Sequence, residues 1–168
     1  MKSGLIKIML KILDKNLKKI YILSGFIAAG FLILIALFIL VGISSRIFGF
    51  YIRGLAEYSG YSMAAASFFA LSYTFVEGGH IRITLFLEKV GEAKKNMMEL
   101  WCLILGTFFS GYLAFYFIKM LIISYKFQER SEGADEILIW IPQTSVAIGS
   151  FIFFICVFHQ LILKIFKK

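Results

Sequence analysis

Residues 57–84 read EYSGYSMAAASFFALSYTFVEGGHIRIT. After the opening acid, the 19 residues 58–76 carry no formal charge. A run of ~18–20 such residues is long enough to cross the apolar core of a bilayer as a helix. Its composition is unusual for a span, because Gly60, Ser62, Ala64, Ala65, Ala66, Ser67 and Ala70 are all small. In lipid, helix association depends on close packing, and small side chains let backbones approach. Ala56, Gly60 and Ala64 recur four residues apart, as do Ser62, Ala66 and Ala70, so most of this helix's surface suits a neighbouring helix. It is expected to be the most protein-packed helix of a membrane protein.

Three further charge-free runs flank it, at residues 20–45, 100–118 and 137–163. The third of the four runs continues past Lys119 toward Lys126, and the last opens on Trp140 and the sole proline, Pro142. Proline is tolerated in the first turn of a helix, where N–H groups lack intrahelical partners. The chain is therefore expected to be an all-α membrane protein with four transmembrane helices, at about 20–45, 55–77, 98–126 and 138–163. Composition excludes a soluble domain: 60% of the residues are hydrophobic, only 17% are charged, and the mean hydropathy is +0.86. The four runs leave no room for a sizeable extramembrane domain in these 168 residues.

The net charge of +8 does not point to nucleic acid, because the basic residues flank apolar spans. In residues 1–19, Lys7, Lys11, Lys15 and Lys18 follow one another at helical steps, with Leu5, Ile8, Met9, Ile12 and Leu13 on another face. That pattern describes an amphipathic interfacial helix anchored on an anionic bilayer surface. A cleaved signal peptide has a shorter apolar core of ~7–15 residues, so the arm is expected to be retained. A second interfacial helix is expected over 82–95, between spans two and three. Lys and Arg divide unequally across the four spans. The side holding both termini and the 77–99 connection carries 13, while the other carries Arg46, Arg53, Lys126 and Arg130. This bias places both termini in the cytoplasm and turns the acidic 128–136 loop outward.

Nothing in the sequence assembles a catalytic site, which needs convergent acids, bases or nucleophiles. No enzyme activity, cofactor or metal is expected. Cys102 and Cys156 sit inside apolar runs without a metal or disulfide spacing and read as small buried hydrophobes. The two histidines, His80 and His159, both fall near the cytoplasmic span ends, so the alternative is a redox-enzyme membrane anchor with haem ligated by both. Glu57 is either a helix-start acid favoured by the helix dipole or a contact to a partner subunit. Lys119 is read as snorkelling to the outer interface.

Three features give a resemblance. Glu57 opens the second span; Glu77-Gly78-Gly79-His80-Ile81-Arg82-Ile83 closes it; Leu138-Ile139-Trp140-Ile141-Pro142 opens the fourth. Together, in order on four spans, they resemble the small membrane subunit (Q-type, DctQ-like) of tripartite ATP-independent periplasmic (TRAP) transporters. Thr84 stands where the family commonly has Asp, and the Glu129–Glu136 loop is more acidic than is usual for it.

The resemblance implies a bacterial inner-membrane protein working with a large membrane subunit and a periplasmic substrate-binding protein. The large subunit of such transporters carries substrate and sodium sites and moves as an elevator; the substrate is a carboxylate such as a sialic acid or a dicarboxylate. The small subunit braces it and helps dock the binding protein. On this basis Glu57, Gly60, Ala64, Ser67, Gly106 and Ser110 are candidates for the large-subunit interface. His80 and Arg82 form the cytoplasmic turn. Arg46, Arg53, Glu129, Glu132, Asp135 and Glu136 are candidates for docking the binding protein.

Overall fold

The computed structural model describes residues 2–78, 91–133 and 135–166. Nearly all of it is four helices: α1 (Lys2–Ile47), α2 (Leu55–Val76), α3 (Glu92–Phe127) and α4 (Trp140–Phe166). A lone antiparallel bridge, Arg130 to Leu138, is the β pairing found among the described residues. Helices are what long charge-free chains form in lipid, because every backbone N–H and C=O is satisfied within the segment. α1, α3 and α4 contain stretches long and apolar enough to cross a membrane. α2 is not among them: its 22 residues suffice in length, but its serines, tyrosines, Thr74, Gly60 and Glu57 lower its hydropathy.

α1 packs on α2, α2 on α4, and α4 on α3, with a lesser contact between α1 and α4. The spatial order is thus α1–α2–α4–α3, with α2 and α4 in the middle. α4 shares the central, protein-packed position that the sequence suggests for the second span alone. The start of α1, the start of α3 and the end of α4 meet at one end of the bundle, where Asp14 approaches His159 and Lys164 pairs with Glu99. The 48–54 and 128–139 connections meet at the other, where Tyr58 bonds Asp135.

The expected interfacial arm is not a separate helix. It runs without a break into the first span as one 46-residue α1. At ~1.5 Å per residue that is about 69 Å, against ~40–45 Å for a bilayer with its headgroups. α1 therefore tilts or projects past the membrane. α3, at 36 residues, is also longer than a span requires. Most of the expected 82–95 helix lies outside the described residues; the remainder, from Glu92, is the first turn of α3.

The covered face of α1 steps through Asp14, Leu17, Tyr21, Ser24, Ala28, Phe31, Ile35, Phe38, Gly42 and Ser45. These alternate steps of three and four, a period of 3.5, which keeps one seam turned to a neighbour in near-parallel left-handed packing. α3 does the same through Leu103, Thr107, Ser110, Ala114, Phe117, Leu121 and Ser124. The remaining faces of both outer helices expose large apolar side chains such as Leu32, Leu40, Phe108 and Phe115, which suit lipid tails.

A glycine stands at the close approach of each of three helix pairs. Gly25 of α1 lies under Tyr73 of α2, Gly111 of α3 under Phe154 of α4, and Gly149 of α4 against Phe68 of α2. At Gly149 the contact is with backbone: a Cβ there would come 2.9 Å from the Phe68 carbonyl carbon. This is a very close approach of α2 and α4. Hydroxyls add a polar thread through the same interior. Ser24 donates to the Phe69 carbonyl, Ser72 donates to Ser24 at 3.1 Å, and the Cys156 thiol reaches the Ser72 carbonyl at 3.6 Å. Cys156 is fully buried as expected, but Cys102 is exposed on α3, because its position falls off that helix's 3.5-residue seam.

Candidate functional site

At the loop end, α2 begins after Gly54, whose φ of 79° is the left-handed conformation that glycine adopts without steric cost. α2 has no side-chain cap, and Glu57 supplies the acid in its first turn. The 128–139 connection folds back over this helix start as a short hairpin. Ser131 N–H donates to the Ile137 carbonyl at 2.8 Å, and Ile139 N–H to the Glu129 carbonyl at 3.0 Å. Gln128 and Glu136, at φ 51° and 47°, turn the chain at its two ends.

Three contacts pin this hairpin onto α2. Tyr58 O–H donates to Asp135 Oδ2 at 2.7 Å, and Tyr61 and Ser131 share a hydrogen bond of 2.7 Å. Glu57 lies against Gly133, close enough that a Cβ there would come 2.9 Å from Glu57 Oε1. Ser124, at the end of α3, donates to Glu129 Oε2 at 2.6 Å. A shallow depression lined by Gly54, Glu57, Tyr58, Tyr61, Ser131 and Asp135 marks the seam. The residues around it put Arg46, Arg53, Glu129, Glu132, Asp135 and Glu136 at one end of the molecule, all exposed. Separations of 70 and 77 residues make the two tyrosine anchors invisible to local pattern.

The small residues named from the sequence divide between two surroundings. Ser110 is buried, and Gly106 half-buried beside Val157, on the α3 face turned to α4. On α2, the Ser62–Ala66 face is buried while Ala56, Gly60, Met63 and Ser67 are exposed and Ala64 is half-covered. Among the described residues, nothing outside its own helix backbone lies within 4 Å of where a Gly60 Cβ would be. Glu57, named beside them, is half-covered by the chain's own hairpin.

At the termini end, His80 and Arg82 lie outside the described residues, as do the side chains of Lys7 and Lys11. Lys15 and Lys18 are exposed on α1, and Lys18 pairs with Asp14 at 3.1 Å. His159 is turned into the α1 interface and is only 3% exposed. Its Nδ1 lies 3.4 Å from the Tyr21 hydroxyl, and its Nε2 lies 3.8 Å from Asp14 Oδ1. The imidazole thus addresses two residues of α1. Among the described residues, no group of three or more His, Cys, Asp or Glu side chains could hold a metal ion.

Residues 34–167 match the family described as tripartite ATP-independent periplasmic transporters, DctQ component. The chain belongs to this family. No curated protein matches the sequence. The matched region takes in three of the four helices and the last part of α1, with both the pinned hairpin and the uncovered face of α2. The DctQ-family chain is a transporter component rather than an enzyme, and its helices make it an integral membrane protein.

Proposed function

We propose that this chain is the small membrane subunit of a sodium-coupled, binding-protein-dependent secondary transporter for carboxylates of the sialic acid or dicarboxylate type. In this role it braces the scaffold of a large elevator subunit and offers docking surface to a periplasmic binding protein. One observation carries the reading beyond family membership. α2 is rich in small residues and leaves Ala56, Gly60, Met63 and Ser67 uncovered by the described residues. A small-residue helix face in a bilayer is where another helix packs closely. The large subunit supplies that helix, and with it α2 becomes the fourth span.

The bias of Lys and Arg toward the termini end supports a cytoplasmic position for that end in the inner membrane of this reading. The hairpin of 128–139 then faces the periplasm, pre-organised on α2, where Glu129, Glu132, Asp135 and Glu136 with Arg46 and Arg53 meet the binding protein. The first test is co-expression with the large subunit encoded alongside it, purifying on a tag after Lys168. A stoichiometric pair that takes up a carboxylate only with sodium and the binding protein supports the reading. A chain recovered alone and monodisperse, with uptake indifferent to its deletion, contradicts it.

A further inference from the structure

α4 presents one ionisable residue to each of its two long neighbours at the termini end. Lys164 pairs with Glu99 of α3 and donates to Asn96 at 2.9 Å. One turn and a half earlier, His159 faces Asp14 and Tyr21 of α1. The first clasp joins a lysine to a carboxylate. The second contains a histidine, whose ordinary titration range reaches physiological pH. We propose that Asp14, Tyr21 and His159 form a proton-sensitive clasp that holds the N-terminal part of α1 against the end of α4.

The atoms left unsatisfied point to this. Among the described residues, Asp14 Oδ1 and His159 Nε2 are buried atoms without a hydrogen-bond partner, and they face one another across 3.8 Å. That is too long for a hydrogen bond. It is also a costly arrangement to leave open in an apolar interior, where unmade bonds carry the full desolvation penalty. The other Asp14 oxygen, Oδ2, is taken by Lys18 at 3.1 Å, so the carboxylate divides itself between a fixed cation and the imidazole. Among the described residues, the charged or titratable groups near His159 include Asp14, Lys18 and Tyr21 from α1 and Cys156 from its own helix. α2 meets α4 one turn away through Ser72, whose carbonyl the Cys156 thiol reaches.

In the neutral imidazole, one ring nitrogen accepts and the other donates. With Nδ1 accepting from the Tyr21 hydroxyl, the Nε2–H points at Asp14 across the open gap. A proton taken from solvent onto Nδ1 makes both nitrogens donors. The Tyr21 hydroxyl then rotates to accept, and the Nε2–H···Asp14 approach becomes a charge-assisted bond, which is shorter and stronger than a neutral one. The gap closes and α1 is drawn onto α4. Loss of the proton relaxes the contact and frees the part of α1 that precedes Asp14, the lysine-bearing segment, to change its angle to the bundle.

The test measures that angle directly. Spin labels are placed at Leu13→Cys on α1 and Ile165→Cys on α4, both exposed, in the full chain with Cys102→Ser, reconstituted in lipid nanodiscs. Pulsed electron resonance then reads the distance distribution at about pH 8 and about pH 5, which bracket the ordinary histidine range. The wild-type background is expected to give a shorter, narrower distribution at the lower pH. His159→Gln, which keeps a partner for Tyr21 but takes no proton, is expected to lose the pH response, and Asp14→Asn to lose it independently. A distribution unchanged with pH in the wild-type background overturns the proposal, as does a response that survives in either variant. A label pair across Glu99 and Lys164, on α3 and α4, is expected to show no shift over the same range.

Discussion

Gly149 carries more of the fold than its size suggests. The Phe68 backbone lies where its Cβ would sit, so any side chain must push α2 away from α4. Overpacking of this kind costs about 1–3 kcal/mol. Gly149→Val is therefore expected to lower the unfolding temperature of the detergent-solubilised chain by several degrees. Gly30 has open space around it, so Gly30→Ala is the control, expected to leave that temperature unchanged or slightly raised. Ser24 sits in the same interior, bonded to Phe69 and Ser72. Interhelical hydrogen bonds in lipid average about 0.6 kcal/mol, so Ser24→Ala is expected to cost less than Gly149→Val in the same thermal assay. The sequence displays the glycines and serines that repeat every four residues, but nothing in it singles out Gly149. Ser145 falls four residues before it, but that single step does not reveal the partner, and the importance of Gly149 comes from Phe68, far earlier in the chain.

At the scale of the elements, the hairpin of 128–139 is the part whose order depends on another helix. Its own backbone bonds shape it, but Tyr58 and Tyr61 fix its position on α2. Tyr58→Phe with Tyr61→Phe removes both anchoring hydroxyls and keeps the rings. Hydrogen exchange should then quicken across 128–139 and stay unchanged in the middle of α3 and α4. Equal exchange in the hairpin would mean that Glu57 on Gly133 and Ser124 on Glu129 suffice to hold it.

The four helices themselves were legible because a charge-free run in lipid has one way to satisfy its backbone. Where α1 begins was not. A lysine-rich amphipathic pattern fits a surface helix and a straight continuation of a span equally well. The choice between them rests on tertiary contacts such as Asp14 with His159, which no local pattern encodes. The acidic loop could be seen as polar, but not as a hairpin clamped by tyrosines from another helix.

The whole molecule is a row of helices in the order α1–α2–α4–α3, with large apolar side chains on the outer faces of α1 and α3 and a small-residue face left uncovered on the central α2. Its charge is divided by end. Basic residues gather with the termini, and the acidic hairpin stands at the far end with Arg46 and Arg53. Exposed charges at a docking surface act mainly on encounter and are screened by salt. Glu129→Lys with Glu132→Lys is therefore expected to slow binding-protein-dependent uptake at low ionic strength and to lose much of its effect at high salt. Uptake unchanged at every salt concentration would take the hairpin out of the docking surface.

The central claim is that the uncovered face of α2 meets protein. It is tested most directly by a photo-crosslinking amino acid placed in turn at Met63 and Ser67 on α2 and at Ile33 and Leu37 on α1, in membranes that contain the whole transporter. Crosslinks to the large subunit from both α2 positions, with only lipid adducts from the α1 positions, are the predicted result. Lipid adducts from Met63 and Ser67, with the large subunit captured from α1 instead, would contradict the account.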